Sequence, residues 1–413
     1  MLLLLSETDD IGKDRPMAIA DAISHLHNLK YLMLENFKTP KEFFPKIFSK
    51  KSFNQLTQLE LKRFRIPDGT LETIAVHCEN LESLTITVRD RLDIRLEAIS
   101  QMKKLKKLYL SVALCNSKED IISMFGNNGN FENMIELSLK HCVVDDIGIR
   151  CIVNACPNLE SLHINRISKY PLRSDNNSDF GAISQLQKLK HLYIKSVFRE
   201  PDEVMKKLFS AKIFENLTKL ELIDLDIWPE EIDAISEVCP KLESITLDSQ
   251  NTCDISVMSH PIEKFEKLKN LRQLKLSGIF MKKDDIIAVF GKKIFGELLH
   301  LSLDSHCFIN NEVLLAIALC CTKLESFVLD YDENDRIYFD KRGIIHIIRF
   351  CKKLRKLQLN LSPAAHQIFT GTSDGTNQDG GILCYEDFCY EIRTYLPRLC
   401  LGSKKEHFHS EHF

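Results

Sequence analysis

One pattern constrains this chain more than any other: L-x-x-L-x-L, which begins at Leu29, Leu56, Leu81, Leu105, Met134, Leu159, Leu189, Leu217, Leu242, Leu271, Leu298, Leu324 and Leu354. The thirteen starts lie 24 to 30 residues apart, within the roughly 20–29-residue period of leucine-rich repeats apart from two spacings of 30. In Leu56-Thr57-Gln58-Leu59-Glu60-Leu61 the last two leucines fall on one face of a strand and point inward, and the residues between them point out. A second apolar segment follows at helical spacing, as in Asp146-Ile147-Gly148-Ile149-Arg150-Cys151-Ile152-Val153. One such unit cannot bury its own apolar face. Stacked units can, with parallel strands about 4.8 Å apart on one side and helices on the other. The expected fold is an α/β leucine-rich-repeat solenoid, a right-handed horseshoe of about thirteen repeats. Its strands are expected on the concave face and its helices on the convex face.

A second period lies over the first. Units of three types recur in order, and first-type starts are 76, 84, 82 and 83 residues apart. The first type reads like Ile183-Ser184-Gln185-Leu186, the second carries Phe53, Phe131, Phe214 or Phe295 three residues before its start, and the third carries Cys78, Cys156, Cys239 or Cys321 there. Duplication of a three-repeat block explains the order. Fixed register is what packing demands, so these Phe and Cys residues are expected in the core.

Composition narrows the function. Hydrophobic residues make up 44 % of the chain and charged residues 27 %, enough to bury a large core. The net charge of -3 weighs against a general phosphate-backbone binder, so no nucleic-acid partner is expected. No run approaches the roughly 20 apolar residues of a membrane span, and no membrane partner is expected. The fourteen cysteines fall at repeat positions rather than framing loops. They read as reduced thiols in a cytoplasmic or nuclear protein. No G-x-S-x-G, H-E-x-x-H or phosphate-cradling loop is present. The pairs Asp145-Asp146, Asp284-Asp285 and Glu230-Glu231 stand where helices should begin and suit capping. Glu82, Glu160, Glu243 and Glu325 share one repeat position, which marks them as structural. No enzyme activity and no cofactor are expected. The tail histidines His407, His409 and His412, with Cys384, Cys389 and Cys400, match no zinc module, so no metal is expected either.

The array is expected over residues 1–362. Leu2–Leu5 stand where the strand of a preceding third-type unit belongs, which suggests a chain that begins inside an array. A glycine-rich loop is expected over 363–381, a capping helix over 382–400 and a disordered tail over 401–413.

The stretch from Leu137-Ser138-Leu139-Lys140-His141-Cys142 through Cys156-Pro157-Asn158-Leu159 resembles the cysteine-containing leucine-rich repeats of F-box proteins, within the ribonuclease-inhibitor-like superfamily. The resemblance implies a substrate receptor of a cullin-type (SCF) ubiquitin ligase, held by a Skp-type adaptor through an F-box. This chain departs from that pattern: no F-box precedes the first repeat. Adaptor binding is therefore expected only if an F-box lies upstream. The alternative is a stand-alone scaffold or inhibitor.

A protein target is expected on the concave strand face, at the second, fourth and sixth residues after each start. In the middle repeats these include Tyr109, Glu136, Lys140, His163, Asn165, His191, Tyr193 and Lys195. Tyrosine offers contact area with little rotamer loss and suits protein recognition. Later repeats place Asp248, Asp304 and Asp330 at the sixth position, an acidic end of the same surface.

Overall fold

The computed structural model describes residues 2–6, 15–36, 39–48, 53–88, 95–112, 118–126, 129, 131–142, 144–167, 180–196, 208–209, 214–225, 227, 229–249, 267–292, 294–331, 337–360 and 400–402. They fall in two compact units, Met1–Leu217 and Thr218–Phe413.

In the first unit the strands are β1 (Leu2–Ser6), β2 (Tyr31–Glu35), β3 (Gln58–Phe64), β4 (Ser83–Val88), β5 (Lys107–Val112), β6 (Glu136–Lys140), β7 (Ser161–Ile167) and β8 (His191–Ser196). Each pairs in parallel with the next. Between them run helices α1 (Arg15–Ser24), α2 (Phe43–Phe48), α3 (Thr70–His77), α4 (Lys118–Phe125) and α5 (Asp146–Ala155). The second unit repeats the plan with β9 (Lys219–Ile223), β10 (Ser244–Asp248), β11 (Gln273–Ser277), β12 (His300–Asp304), β13 (Ser326–Asp330), β14 (Lys356–Asn360) and β15 (Cys400–Gly402). Its helices are α6 (Pro229–Val238), α7 (Lys283–Gly291), α8 (Asn311–Cys320) and α9 (Lys341–Phe350), and its strands are likewise parallel in sequence order. Every one of the thirteen starts is followed two residues later by a strand. The chain is an α/β leucine-rich-repeat solenoid.

The inward rungs are in register. Leu32, Leu59, Leu84, Leu108 and Leu137 follow one another across neighbouring strands, and each is 2 % exposed or less. The Phe and Cys residues three positions before the starts are buried as expected. Phe53, Phe131, Phe214 and Phe295 are at most 3 % exposed, and Cys78, Cys156, Cys239 and Cys321 at most 2 %. Their backbone explains the fixed spacing. The N–H of each of these cysteines closes the last helical turn on the carbonyl four residues back, and its own carbonyl accepts the N–H of the start residue three further on (Cys78 to Ile74 at 2.8 Å, Leu81 to Cys78 at 3.0 Å). One residue thus ends the helix and opens the turn into the strand.

A second shared device stands at the other end of the strand. Asn36, Arg63, His141, Asp224 and Gly278 all have φ between 55° and 65°, and each follows the fifth strand residue. This left-handed step turns the chain off the sheet. Neighbouring repeats are also stapled by side chains. Asn80, Asn133, Asn158, Asn216 and Asn270 each directly precede a start, and each donates its amide to a carbonyl of the preceding repeat at 2.7–3.3 Å.

Three expectations need comment. Two first-type units replace the helix with a 3-10 turn, Leu96–Gln101 and Phe180–Gln185. Their apolar runs are too short to bury a full α-helical stripe, and 3-10 geometry suits such short pieces. Cys400–Gly402 form a strand on the open edge of β14. The structure thus has sheet where the end of the capping helix (382–400) and the start of the disordered tail (401–413) were expected. The physical reason is that an unpaired strand edge offers backbone groups that another strand satisfies. The remainder of both segments, and the loop 363–381, lie outside the described residues. At the N-terminus, Leu2–Ser6 pair in parallel with Tyr31–Glu35.

Candidate functional site

The outward residues of the first unit form rows because the strands are in register. The fourth residues after the starts run Tyr109, Ser138, His163 and Tyr193 on β5 to β8, each paired with the next. All four are half-buried. The His163 imidazole stacks on the Tyr193 ring, with centroids 3.7 Å apart and planes 21° from parallel. At the other end of the row the Lys140 ammonium lies 5.3 Å from the Tyr109 ring centroid, within cation–π range. Between them, the Ser138 hydroxyl is closed to solvent and makes no hydrogen bond among the described residues. The His163 and Tyr193 rings therefore hold each other, and Lys140 lies over Tyr109.

Around this row, Glu136 pairs with Lys107 at 2.7 Å, with both side chains about half exposed, so the pair contributes at most about 1 kcal/mol. His191 Nδ1 lies 3.4 Å from Ser161 Oγ. Asn165 and Lys195 are half-buried but fall where β7 and β8 slip register, between Ile164 and Ile167. The structure thus gathers Tyr109, Glu136, Lys140, His163, His191 and Tyr193 on regular strand positions, and leaves Asn165 and Lys195 at its irregular rim.

Sequence reasoning missed a second polar station on this face. Glu60 accepts hydrogen bonds from Tyr31 Oη at 3.0 Å and Gln58 Nε2 at 2.9 Å, and Lys62 Nζ is 2.7 Å away. Burial alone raises the Glu60 carboxyl, but the hydrogen bond and charge of Lys62, with the bonds from Tyr31 and Gln58, leave it below its ordinary value. Burial, and then the Glu60 carboxylate, push the Tyr31 phenol up to about 12. The partners are 2 and 29 residues from Glu60, and only the repeat register could have joined them.

The second unit carries a different face. Its fourth-residue row runs Glu221, Thr246, Lys275, Ser302, Val328 and Gln358. A shallow depression of about 210 Å³ is lined by short side chains such as Ser244, Thr246, Ser302 and Ser326. The expected acidic positions are present, with different fates. Asp304 is engaged by the Gly278 N–H at 2.5 Å and by the His306 N–H and ring at 3.1 and 3.0 Å. Asp248 is raised above the usual carboxylate range by burial, helped by Asp224 and Asp304 and opposed by Lys275. Asp330 is exposed.

The candidate chemistry-bearing groups have structural work. Asp145 caps α5, its Oδ1 accepting the Gly148 N–H at 2.9 Å, and Asp284 and Asp285 lie in the first turn of α7. Glu82 and Glu160 pair with Lys106 and Lys190 of the next repeat at 2.9 and 2.8 Å. Burial pushes the Cys78, Cys239 and Cys351 thiols up to about 12 and the Cys156 thiol higher, which suppresses the nucleophilic thiolate. Among the described residues no group of His, Cys, Asp or Glu could hold a metal ion, and no helix is long and apolar enough to cross a membrane.

No family model matches the chain. Among solved structures it is similar to one described as "Crystal structure of TLR13-ssRNA13 complex", with 20% sequence identity and a TM-score of 0.46. The match covers 81% of this chain and 43% of that one, so this chain spans less than half the length of that structure. The fold assignment rests on the parallel strand order and the repeat register above.

Proposed function

We propose that this protein is a receptor that binds a protein target on the outward strand face of the Met1–Leu217 unit. The observation that carries the reading is the ordered row Tyr109–Ser138–His163–Tyr193, with Lys140 over one end and a stacked pair at the other. Aromatic side chains fixed on a rigid sheet are the usual anchors of protein interfaces. The cations beside the row favour a protein over a phosphate backbone, because several are already matched: Lys62 with Glu60, Lys107 with Glu136, Lys106 with Glu82. The reading includes the finer role implied by the F-box-type repeats, delivery of that target to a cullin-type ubiquitin ligase. A stand-alone scaffold or inhibitor is the second reading.

The test is capture with the full chain against the triple variant Tyr109→Ala, His163→Ala, Tyr193→Ala. A bound protein that the variant releases supports the reading. A partner held equally by both, or a single-stranded nucleic acid that binds at physiological salt and displaces the protein, overturns it. Binding of a Skp-type adaptor by the same chain would support ligase coupling.

A further inference from the structure

Two turns of the chain carry the same run of cations and meet different neighbours. Entering β5 the sequence reads Lys103-Lys104-Leu105-Lys106-Lys107, and entering β14 it reads Lys352-Lys353-Leu354-Arg355-Lys356. The central leucine is a repeat start in both, so the cations of one turn match those of the other position by position. Both turns also follow a third-type repeat, Leu81-Glu82-Ser83 in one unit and Leu324-Glu325-Ser326 in the other. The serine is in register with the last cation in each case.

In the first unit the cations are matched. Lys106 pairs with Glu82 of the preceding repeat at 2.9 Å, and Lys107 with Glu136 of the following one at 2.7 Å. Lys104 Nζ donates to Asn80 Oδ1 at 2.5 Å. In the second unit these partners are replaced or turned away. Lys356 faces Cys400 where Lys107 faces Glu136. Lys323 stands in the place of Asn80 and adds a cation. It is bonded to Glu297 at 2.5 Å, which engages the carboxylate that also feels the charge of Lys353. Glu325 stands in the place of Glu82, yet no ion pair joins it to Arg355. The side chains of Lys352, Lys353, Arg355 and Lys356 make no hydrogen bond or ion pair among the described residues, and all four are exposed. Lys352 and Lys353 follow the C-terminus of α9, where the helix dipole favours a cation. That leaves Arg355 and Lys356, past the turn, without a structural reason.

We infer that the turn entering β14 docks an acidic polypeptide segment of a partner protein, which supplies the carboxylates that Glu82 and Glu136 supply in the other unit. An extended segment with Glu or Asp at every second residue presents carboxylates roughly 7 Å apart on one face, within reach of long Lys and Arg side chains. A phosphate backbone needs cations along its length. Here the two preceding repeats bring Glu325 and Glu297 instead. The site lies in the other unit from the proposed target face and stands independently of it.

The probe is a fluorescein-labelled octapeptide of alternating Glu and Ser, titrated by anisotropy into the full chain, with a Lys and Ser octapeptide as its counterpart. The Glu peptide should bind and the Lys peptide should not, and added salt should weaken the binding several-fold. Arg355→Glu with Lys356→Glu should weaken it at least about fivefold. Lys106→Ala with Lys107→Ala, in the turn whose cations are already matched, should change it less than about twofold. Thermal unfolding of each variant separates loss of docking from loss of fold, and Lys352→Ala with Lys353→Ala serves if the charge-reversed variant unfolds. Absent binding of the Glu peptide, wild-type binding by the charge-reversed variant, or an equal loss from the Lys106 and Lys107 substitutions overturns the inference. So does tighter binding of an eight-residue oligothymidylate, which makes the occupant a nucleic acid. So does a dimer in sedimentation that the charge-reversed variant dissolves, since the occupant is then a second copy of the chain.

Discussion

At the fourth position after each start, the Met1–Leu217 unit reads Met33, Glu60, Thr85, Tyr109, Ser138, His163, Tyr193, and the strands of the Thr218–Phe413 unit read Glu221, Thr246, Lys275, Ser302, Val328, Gln358. One residue earlier, both units read leucine in nearly every repeat, with Ile245 and Phe327 as variants. Inward rungs are interchangeable because the interior asks only for apolar volume. Outward residues are free of that demand, so the two units could diverge there. The first built an aromatic row on its sheet. The second carries no aromatic ring at this position.

The largest effect tests whether the units really share a backbone. Gly278 has φ of 65°, and a Cβ there would meet the Ser249 carbonyl oxygen at 1.6 Å. Gly278→Ala should cost more than about 3 kcal/mol in denaturant unfolding. The equivalent His141 has φ of 60° and is exposed, so His141→Gly should stabilise by up to about 1 kcal/mol. A loss in the second case would break the equivalence.

Next comes the difference between the faces. Replacing Tyr109, His163 and Tyr193 together by Ala should weaken the captured target by about 2–4 kcal/mol in calorimetry. Thr246→Ala with Ser302→Ala should change it by less than about 0.5 kcal/mol. Comparable losses on both faces would erase the distinction.

The smaller effects concern protons and have opposite signs. Glu60 is held below its ordinary value, so its ion pair stabilises the fold fully above the usual carboxylate range, and that stability is lost as pH falls through the folded value. Glu60→Gln should therefore lower the melting temperature at pH 7, and the deficit should close in acid. Asp248 is raised, first by burial, so its ionised form costs the fold. Asp248→Asn should raise the melting temperature at pH 7, and the gain should vanish as pH falls and Asp248 itself protonates. Both groups are partly exposed and screened, so each effect should stay below about 1 kcal/mol.

The smallest difference should be none. Cys78 in one unit and Cys239 and Cys351 in the other, with thiols pushed up to about 12, should resist iodoacetamide equally until the chain unfolds, as peptide mass mapping would show.

The strands were legible in the sequence because two signals coincide. A period of two places Leu59 and Leu61 inside, and the start fixes the phase. The same register made the row of Tyr109, His163 and Tyr193 legible, since it needs only strand order. The stacking of His163 on Tyr193 was not legible, because it depends on which rotamers neighbouring rings allow. The slip that displaces Asn165 and Lys195 was hidden for a related reason: a bulge changes register without changing composition. The left-handed residues were missed because four of the five are not glycine. Asn36, Arg63, His141 and Asp224 accept a conformation that residue type alone would not assign to arginine.

The asparagine staples bear on how such a molecule comes apart. Each one ties a repeat only to the one before it, as with Asn158 to the Glu132 carbonyl and Asn270 to the Pro240 carbonyl, so cohesion passes from neighbour to neighbour. Stretched between its ends, the molecule should yield in small steps of roughly one repeat each, and a break at one staple should leave distant repeats intact. The same locality lets a block of repeats be copied into the chain, as the Phe and Cys that recur three residues before the starts indicate happened here, because a new block need only match the two seams where it is inserted.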